Sequence, residues 1–288
     1  MEVAKTVQAM RRLTNSARRQ GKKIGLVPTM GALHAGHISL IRAARKETDF
    51  VVVTIFVNPT QFGPNEDLDR YPRQLEKDLE ICDSEGVDAV FAPDNEEMYP
   101  KGYRTYVEVH ELQNLLCGAS RPGHFRGVTT VVLKLFNIVQ ADVAFFGQKD
   151  GQQALIIQQM VRDLNVPIEI RVCPIVREPD GLALSSRNQY LDPNQRAQAT
   201  VLHRALEKAR QAIEHGERDG GRIQRLLEET IRSAPDAVID YAVVVDPETL
   251  QPLTALDGKV YLALAVRFGD TRLIDNMQVE VPTLRAGG

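Results

Sequence analysis

Residues Leu26 to Lys46 read LVPTMGALHAGHISLIRAARK. The stretch starts as an apolar strand and ends as an amphipathic helix. Between the two lie Gly31, Gly36 and the histidines His34 and His37, with Gly36 set directly against His37. A helix start offers backbone N–H groups and the positive end of a dipole, so it suits phosphate. Glycine lets a large anion approach the backbone, and Gly36 leaves room for a flat ring on the helix start. At i and i+3 the two imidazoles face one side, where their N–H groups would stabilise charge developing on phosphorus. Two other readings compete. A metal site needs three or four ligands, and no second histidine pair, HExxH or CxxC supplies them. A purely structural histidine pair fits the local sequence as well.

Outward from this turn, the first two-thirds of the chain alternates between two periodicities. KIGLV, FVVVTIFV, DAVFAP, DVAFFG and IEIRVCPIV read as strands, and RTYVEVHEL alternates as a further strand. Between them fall helical patterns. One runs from about His37 to Lys46, one in RQLEKDLEICDSEG has Leu75, Leu79 and Cys82 aligned, one lies in GVTTVVLKLFNIVQA and one in QQALIIQQMVRDL. At the amino end Val3, Val7, Met10 and Leu13 fall at helical spacing, which predicts a first helix and not an export signal. The fold class expected is α/β, a Rossmann-like, doubly wound parallel sheet.

The rhythm changes at REPDGLALSSRNQYLDPNQR, which is rich in polar and turn-forming residues. A boundary near Cys173 to Arg177 divides the chain into 1–175, binding nucleotide and substrate, and 176–288. The second part is a smaller α+β C-terminal domain that would act as a lid. Its first helix carries Val201, Leu202, Ala205, Ala209 and Ile213, and its second Ile223, Leu226, Leu227 and Ile231. The strands AVIDYAVVV and KVYLALAVRF follow, and RLIDNMQVEV reads as a tail.

Composition narrows the class further. The 288 residues are 43% hydrophobic and 25% charged, with a net charge of -3, which is ordinary globular usage without the basicity of a nucleic-acid binder. No apolar run approaches a membrane span. The three cysteines, Cys82, Cys117 and Cys173, are far apart and form no CxxC, which fits a reducing cytoplasm.

Three more segments belong with the histidine turn. FFGQKDGQQ follows an apolar strand and opens a helix, placing Lys149 at the carboxyl edge of the sheet, where open α/β sheets bind ligands. VNPTQFGPNEDLDRYP brings Asn58 and Gln61 to the same edge. DGLALSSRN offers Ser185, Ser186 and Arg187 on a loop suited to closing over a polyphosphate. The chain has no GxxxxGK[ST], no GxGxxG and no GxSxG.

PTMGALHAGH resembles the HIGH-type signature of the nucleotidyltransferase superfamily, and LALSSRN resembles its second, mobile phosphate loop. With FVNPTQFGPNEDLDRYPR, RPGHFRGVTTVV, GQKDGQQ and REPDGLALSSRN in this order, the chain resembles the pantoate–β-alanine ligase family along its whole length. It departs at Ala35, where an acidic residue is frequent, and at Gln148 and Gly151, where the family usually reads G-E-K-D-Y-Q-Q.

The resemblance implies an ATP-dependent condensation of (R)-pantoate with β-alanine in two steps. Pantoate's carboxylate attacks the α-phosphate, giving pantoyl adenylate and pyrophosphate; the amine of β-alanine then displaces AMP. It implies that Met30, Gly31, Ala32, Leu33, His34, Ala35, Gly36 and His37 form the ATP turn, joined by Gly147, Gln148, Lys149 and Asp150. Val176 would meet the adenine, and Leu184, Ser185, Ser186 and Arg187 the phosphates. Catalysis would fall to His37, His34 and Lys149. Gln61 and Gln153 would hold pantoate, Gln61 also β-alanine, and Arg121 would add a phosphate contact. Mg²⁺ would accompany ATP, and the family is typically a cytoplasmic homodimer. The nearest alternative is a nucleotidyltransferase of another substrate class, which consumption of β-alanine would separate. A non-catalytic RNA-binding relative would need a basic or aromatic surface that the mixed-charge C-terminal part lacks.

Overall fold

The computed structural model describes residues 1–64 and 66–282. The chain divides into two compact units, the first within 1–174 and the second from Ile175 onward. In chain order the first unit contains β1 (Glu2–Ala4), α1 (Val7–Arg19), β2 (Ile24–Thr29), α2 (Ala35–Glu47), β3 (Phe50–Ile55), α3 (Leu75–Ser84) and β4 (Ala89–Phe91). There follow α4 (Asn95–Met98), α5 (Cys117–Ser120), α6 (His124–Val139), β5 (Val143–Gly147), α7 (Gly151–Asp163) and β6 (Glu169–Cys173).

The strands form one parallel sheet in the order β1-β4-β3-β2-β5-β6. After β4 the chain crosses back over β2 and β3 to lay β5 on the far side of β2. The sheet order therefore reverses between β2 and β5, which opens a crevice at their carboxyl ends. The central strands are buried along most of their length, as their unbroken apolar runs require when helices cover both faces. The doubly wound α/β reading is borne out.

Three local expectations are corrected. Val3 belongs to β1 and is exposed, and the helix begins only at Val7, where the Thr6 hydroxyl accepts a hydrogen bond from the amide of Ala9 at 3.2 Å. In α3, Leu75 is exposed at the first position, and the buried stripe is carried by Asp78 and Cys82. RTYVEVHEL forms no strand. Its Val107 is instead tied to α6, the amide donating to Thr130 Oγ1 at 3.0 Å and the carbonyl accepting from Thr129 Oγ1 at 2.6 Å. Alternation alone cannot tell a sheet partner from a helix partner.

The second unit holds α8 (Pro193–Ala199), α9 (Val201–Glu214), α10 (Gly220–Arg232) and the antiparallel sheet β7-β8-β9 (Ala237–Val245, Lys259–Phe268, Thr271–Glu280). Ala205, Ala209 and Ile213 from α9 and Ile223 and Leu227 from α10 share its core with Val260, Leu262 and Leu264 of β8. This is the small α+β arrangement expected. RLIDNMQVEV, read as a tail, is the third strand, pairing with β8 from Thr271 to Glu280. Its pattern was obscured by Asp275 and Asn276, which are buried. Asp275 is there because Arg177 reaches it with two hydrogen bonds, at 2.6 and 2.9 Å.

The Arg177–Asp275 pair anchors a small hairpin. Arg177 also donates to Gly181 O at 3.0 Å, Arg177 bridges Ala183, and the amide of Leu184 donates to Val176 O at 3.0 Å. Removing the cation would leave a buried carboxylate without its partner, which costs about 3–5 kcal/mol. Arg177→Ala should lower the urea midpoint of the second unit by that measure and open the hairpin to proteolysis near Gly181.

Candidate active site

Three segments follow the carboxyl ends of neighbouring strands: Met30–His37 after β2, Gln148–Asp150 after β5 and Asn58–Gln61 after β3. The first is built around α2. His34 is its N-cap, and its Nδ1 accepts a hydrogen bond from the amide of Gly36 at 3.1 Å. His37, one turn in, returns the favour: its Nδ1 accepts from the amide of His34 at 3.3 Å. The two histidines thus cap the helix reciprocally, with ring centroids 4.2 Å apart. Gly36 makes this possible, because a Cβ there would stand 2.8 Å from His34 Cε1. The flat ring for which Gly36 leaves room is therefore the imidazole of His34.

The caps fix the chemistry of both rings. An Nδ1 that accepts from an amide carries no proton, so each ring keeps its proton on Nε2 and presents it as a donor. Burial pushes His37 down to about 3, with the neighbouring His34 adding to the effect. His34 is also lowered, by burial and then by the charge of Lys149. Both rings are therefore neutral near pH 7 and act as hydrogen-bond donors.

The sequence suggested that bare amides at the helix start would face phosphate. Several amides of this turn have partners within the protein. Gly31 N donates to Thr29 Oγ1 at 3.1 Å, and Ala32 N and Leu33 N donate to the carboxylate of Asp78 at 2.9 and 2.8 Å. The amides of His34 and Gly36 are taken by the imidazoles. These five main-chain donors are satisfied within the protein, and each imidazole keeps its Nε2–H as a further donor. Asp78 is a residue that the sequence reading missed; its signal was an acidic residue on the buried stripe of α3.

Lys149 and Asp150 lie within electrostatic reach of this pair. The Lys149 charge lowers both imidazoles and the Asp150 charge raises both. Lys149 is largely buried, with Nζ 3.5 Å from Asp150 Oδ1. Gly151, one of the departures from the family pattern, has φ -60 and ψ -39, an ordinary helical conformation, so the departure leaves the backbone path unchanged.

Gln61 is buried beside the same turn. Its Nε2 contacts Met30 Sδ at 3.1 Å, and its Oε1 accepts from Asn58 Nδ2 at 3.0 Å. Asn58 is itself fixed by Gly127 O, Thr60 and the Tyr99 hydroxyl. Helix α6 approaches so closely that a Cβ on Gly127 would stand 2.4 Å from Thr60 O. Gln153 is partly buried on the first turn of α7. Its neighbour Gln152 is structural: its amide holds Cys117 N, Leu112 O and Leu115 O at 3.0, 3.0 and 2.7 Å.

Arg121 and His124 were read as part of a motif, with Arg121 toward phosphate. The structure gives Arg121 a different partner, Glu66, whose carboxylate it meets through both Nε, at 2.6 Å, and Nη2. His124 joins Arg121 Nη1 to the carbonyl of Gln61, with contacts of 3.2 and 2.8 Å. Its Nδ1 must donate to that carbonyl, so its Nε2 accepts from Arg121. Burial and then Arg121 push His124 down to about 4.

In the second unit Val176 and Leu184 are paired across the hairpin. Ser185 caps the short helical turn Ser186–Tyr190, accepting from the amide of Arg187 at 3.2 Å. This segment is a built hairpin and capped turn. Among the described residues no helix is long and apolar enough to cross a membrane, and no group of three or more His, Cys, Asp or Glu side chains is placed to hold a metal ion.

The model of the pantoate–β-alanine ligase family matches residues 2–278. The chain belongs to the pantoate–β-alanine ligase family. It is 61% identical to the pantothenate synthetase of Moorella thermoacetica over 98% of this chain and 99% of that one. It is 54% identical to that of Acetivibrio thermocellus over 98% and 100%. Among solved structures, pantothenate synthetase from Thermus thermophilus aligns over 98% of this chain and 100% of that one with a TM-score of 0.92 at 47% identity. The pantoate–β-alanine ligase from Francisella tularensis, solved with β,γ-ATP and β-alanine, aligns over 96% and 97% with a TM-score of 0.78 at 39% identity.

The family assignment and the capping geometry together make a pH prediction. Unfolded imidazoles take a proton near 6.5, whereas His37 and His124 resist until about 3 and about 4. In that window the unfolded chain binds more protons, so the contribution of these histidines is whole above pH 6.5 and drains as pH falls. Between pH 6.5 and 5 the loss is about 2 kcal/mol per histidine. Urea midpoints at pH 7 and pH 5 should differ accordingly, and less so in His124→Asn.

Proposed function

We infer that this chain joins pantoate to β-alanine at the expense of ATP, through a pantoyl adenylate held between the histidine turn and Gln61. The carrying observation is the reciprocal capping of His34 and His37, which leaves two neutral Nε2–H donors side by side. A pantoate carboxylate oxygen attacks the α-phosphorus, the bond to the bridging oxygen breaks, and pyrophosphate leaves. The nucleophile is already an anion, so no side chain need activate it. The work is positioning and electrostatic stabilisation. In this reading His37 donates a hydrogen bond to the phosphates, assisted by His34 and by the charge of Lys149. A ring that resists protonation until about 3 is poorly suited to carry a proton to the leaving group.

The remaining assignments follow the same geometry. Met30 to His37 and Gly147 to Asp150 would line the nucleotide. The amides of Gln61 and Gln153 would hold pantoate's hydroxyls and carboxylate, since an amide both donates and accepts. Val176 and the turn Leu184–Arg187 would also serve the nucleotide. Mg²⁺ would arrive on ATP and neutralise phosphate charge. The residues fit that role, because Mg²⁺ is commonly held by phosphates, water and one or two carboxylates. Asp150, whose charge reaches both histidines, would be the carboxylate nearest to it.

A homodimer, as the family resemblance implies, would use the segment Arg104–Glu108, where Tyr106 is exposed. Antiparallel pairing with a second copy centred on Tyr106 would set each Arg104 opposite a Glu108. A cytoplasmic setting agrees with three buried cysteines that form no disulfide.

Mixing the protein with Mg²⁺-ATP and pantoate, without β-alanine, should release about one pyrophosphate per site and then stall, because the adenylate is shielded from water. Pyrophosphate that appears only after β-alanine is added would sink the two-step scheme. His37→Gln should lower kcat by about 10²-fold or more in that half-reaction, as for loss of one transition-state donor. Light scattering coupled to size exclusion should give twice the chain mass, and Tyr106→Asp should shift it toward the monomer.

A further inference from the structure

β-Alanine is a zwitterion, and its carboxylate needs a cationic partner when it leaves water. We propose that Arg121 is that partner, and that the substrate's carboxylate takes on it the place that Glu66 occupies. This rests on the ligase reading above. The geometry supplies the rest. Arg121 presents one edge, Nε and Nη2, to Glu66 in the two-pronged arrangement that guanidinium makes with any carboxylate. Its other nitrogen, Nη1, is held by His124 at 3.2 Å, and His124 is held in turn by the carbonyl of Gln61 at 2.8 Å. Arg121 Nη2 also lies 3.4 Å from that carbonyl. The guanidinium is therefore fixed beside the residue that marks the pantoate pocket, with its carboxylate-binding edge outward.

Lys149 does not compete for this role, because its charge is felt by His34 and His37 and so serves the phosphate side. The Arg121–Glu66 pair is partly open to solvent, with side chains 19% and 24% exposed, so a free carboxylate can reach it. Glu66 lies outside any helix or strand, and its amide bonds only one turn back, to Gly63 O at 3.1 Å. It can withdraw without unpairing the sheet. Exchanging one carboxylate for another conserves charge and hydrogen bonds, so the subsite stays satisfied in both states.

The test separates the two half-reactions and uses β-alaninamide, which keeps the amine and lacks the carboxylate. Arg121→Ala should release pyrophosphate from ATP and pantoate at the wild-type rate, while KM for β-alanine rises about tenfold or more, as for a lost charged hydrogen bond. β-Alaninamide should react equally with wild type and variant. Arg121→Lys should fall between. Glu66→Gln, which keeps Arg121 in place, should lower KM for β-alanine severalfold. The proposal is overturned if Arg121→Ala slows pyrophosphate release or raises KM for ATP, which marks a phosphate contact. It is equally overturned if β-alanine and β-alaninamide lose rate in parallel, or if Glu66→Gln leaves KM for β-alanine unchanged. No pyrophosphate from the wild-type protein would instead refute the ligase reading itself.

Discussion

The site depends on one arrangement: two imidazoles that cap the helix they belong to. A helix start carries donors that must be satisfied, and small side chains such as Ser or Asp usually do this. Here His34 and His37 take the role, each using Nδ1 as the acceptor. The consequence is chemical as well as structural. Capping consumes the lone pair on one nitrogen and so dictates that the proton sits on the other. With the amides of His34 and Gly36 held by the rings, the helix start also offers donors through two ring N–H groups. Those groups lie farther from the backbone and are held by packing, so they suit a bulky polyphosphate.

Around this arrangement, each neighbouring segment is held by a buried side chain or a close backbone approach. Asp78, from α3, braces the loop between β2 and α2 through the amides of Ala32 and Leu33. Asn58 and Gly127 seat Gln61, the first through hydrogen bonds and the second by allowing α6 to approach the backbone at Thr60. Gln152 pins the loop that leads to Arg121. Pre-organisation of this kind matters most where catalysis rests on positioning, since misplacement of donors by an ångström is costly.

The second unit obeys a different constraint. Its sheet is antiparallel and its helices α9 and α10 share one core with it, so it has its own hydrophobic reason to fold. The hairpin carrying Val176 and Leu184 is fastened to that body by Arg177 and Asp275. The order of that hairpin is therefore supplied by the fold of the unit itself.

The sequence by itself determined the alternation of strands and helices, the parallel sheet and the place of the histidine turn. Apolar periodicity and the Gly–His spacing are local signals, and each element declares itself within a few residues. It also pointed to the family, because five motifs in fixed order are jointly specific. Only the tertiary structure decided what each polar group does. Glu66 meets Arg121 across 55 residues, Asp78 meets Ala32 across 46, and Arg177 meets Asp275 across 98. Such partnerships leave no periodic trace. For the same reason Asp275 and Asn276 made β9 look like a tail, and the alternation in RTYVEVHEL suggested a strand that α6 had already claimed. Periodicity records which side of an element is buried, and the identity of the group on the other side is written elsewhere in the chain.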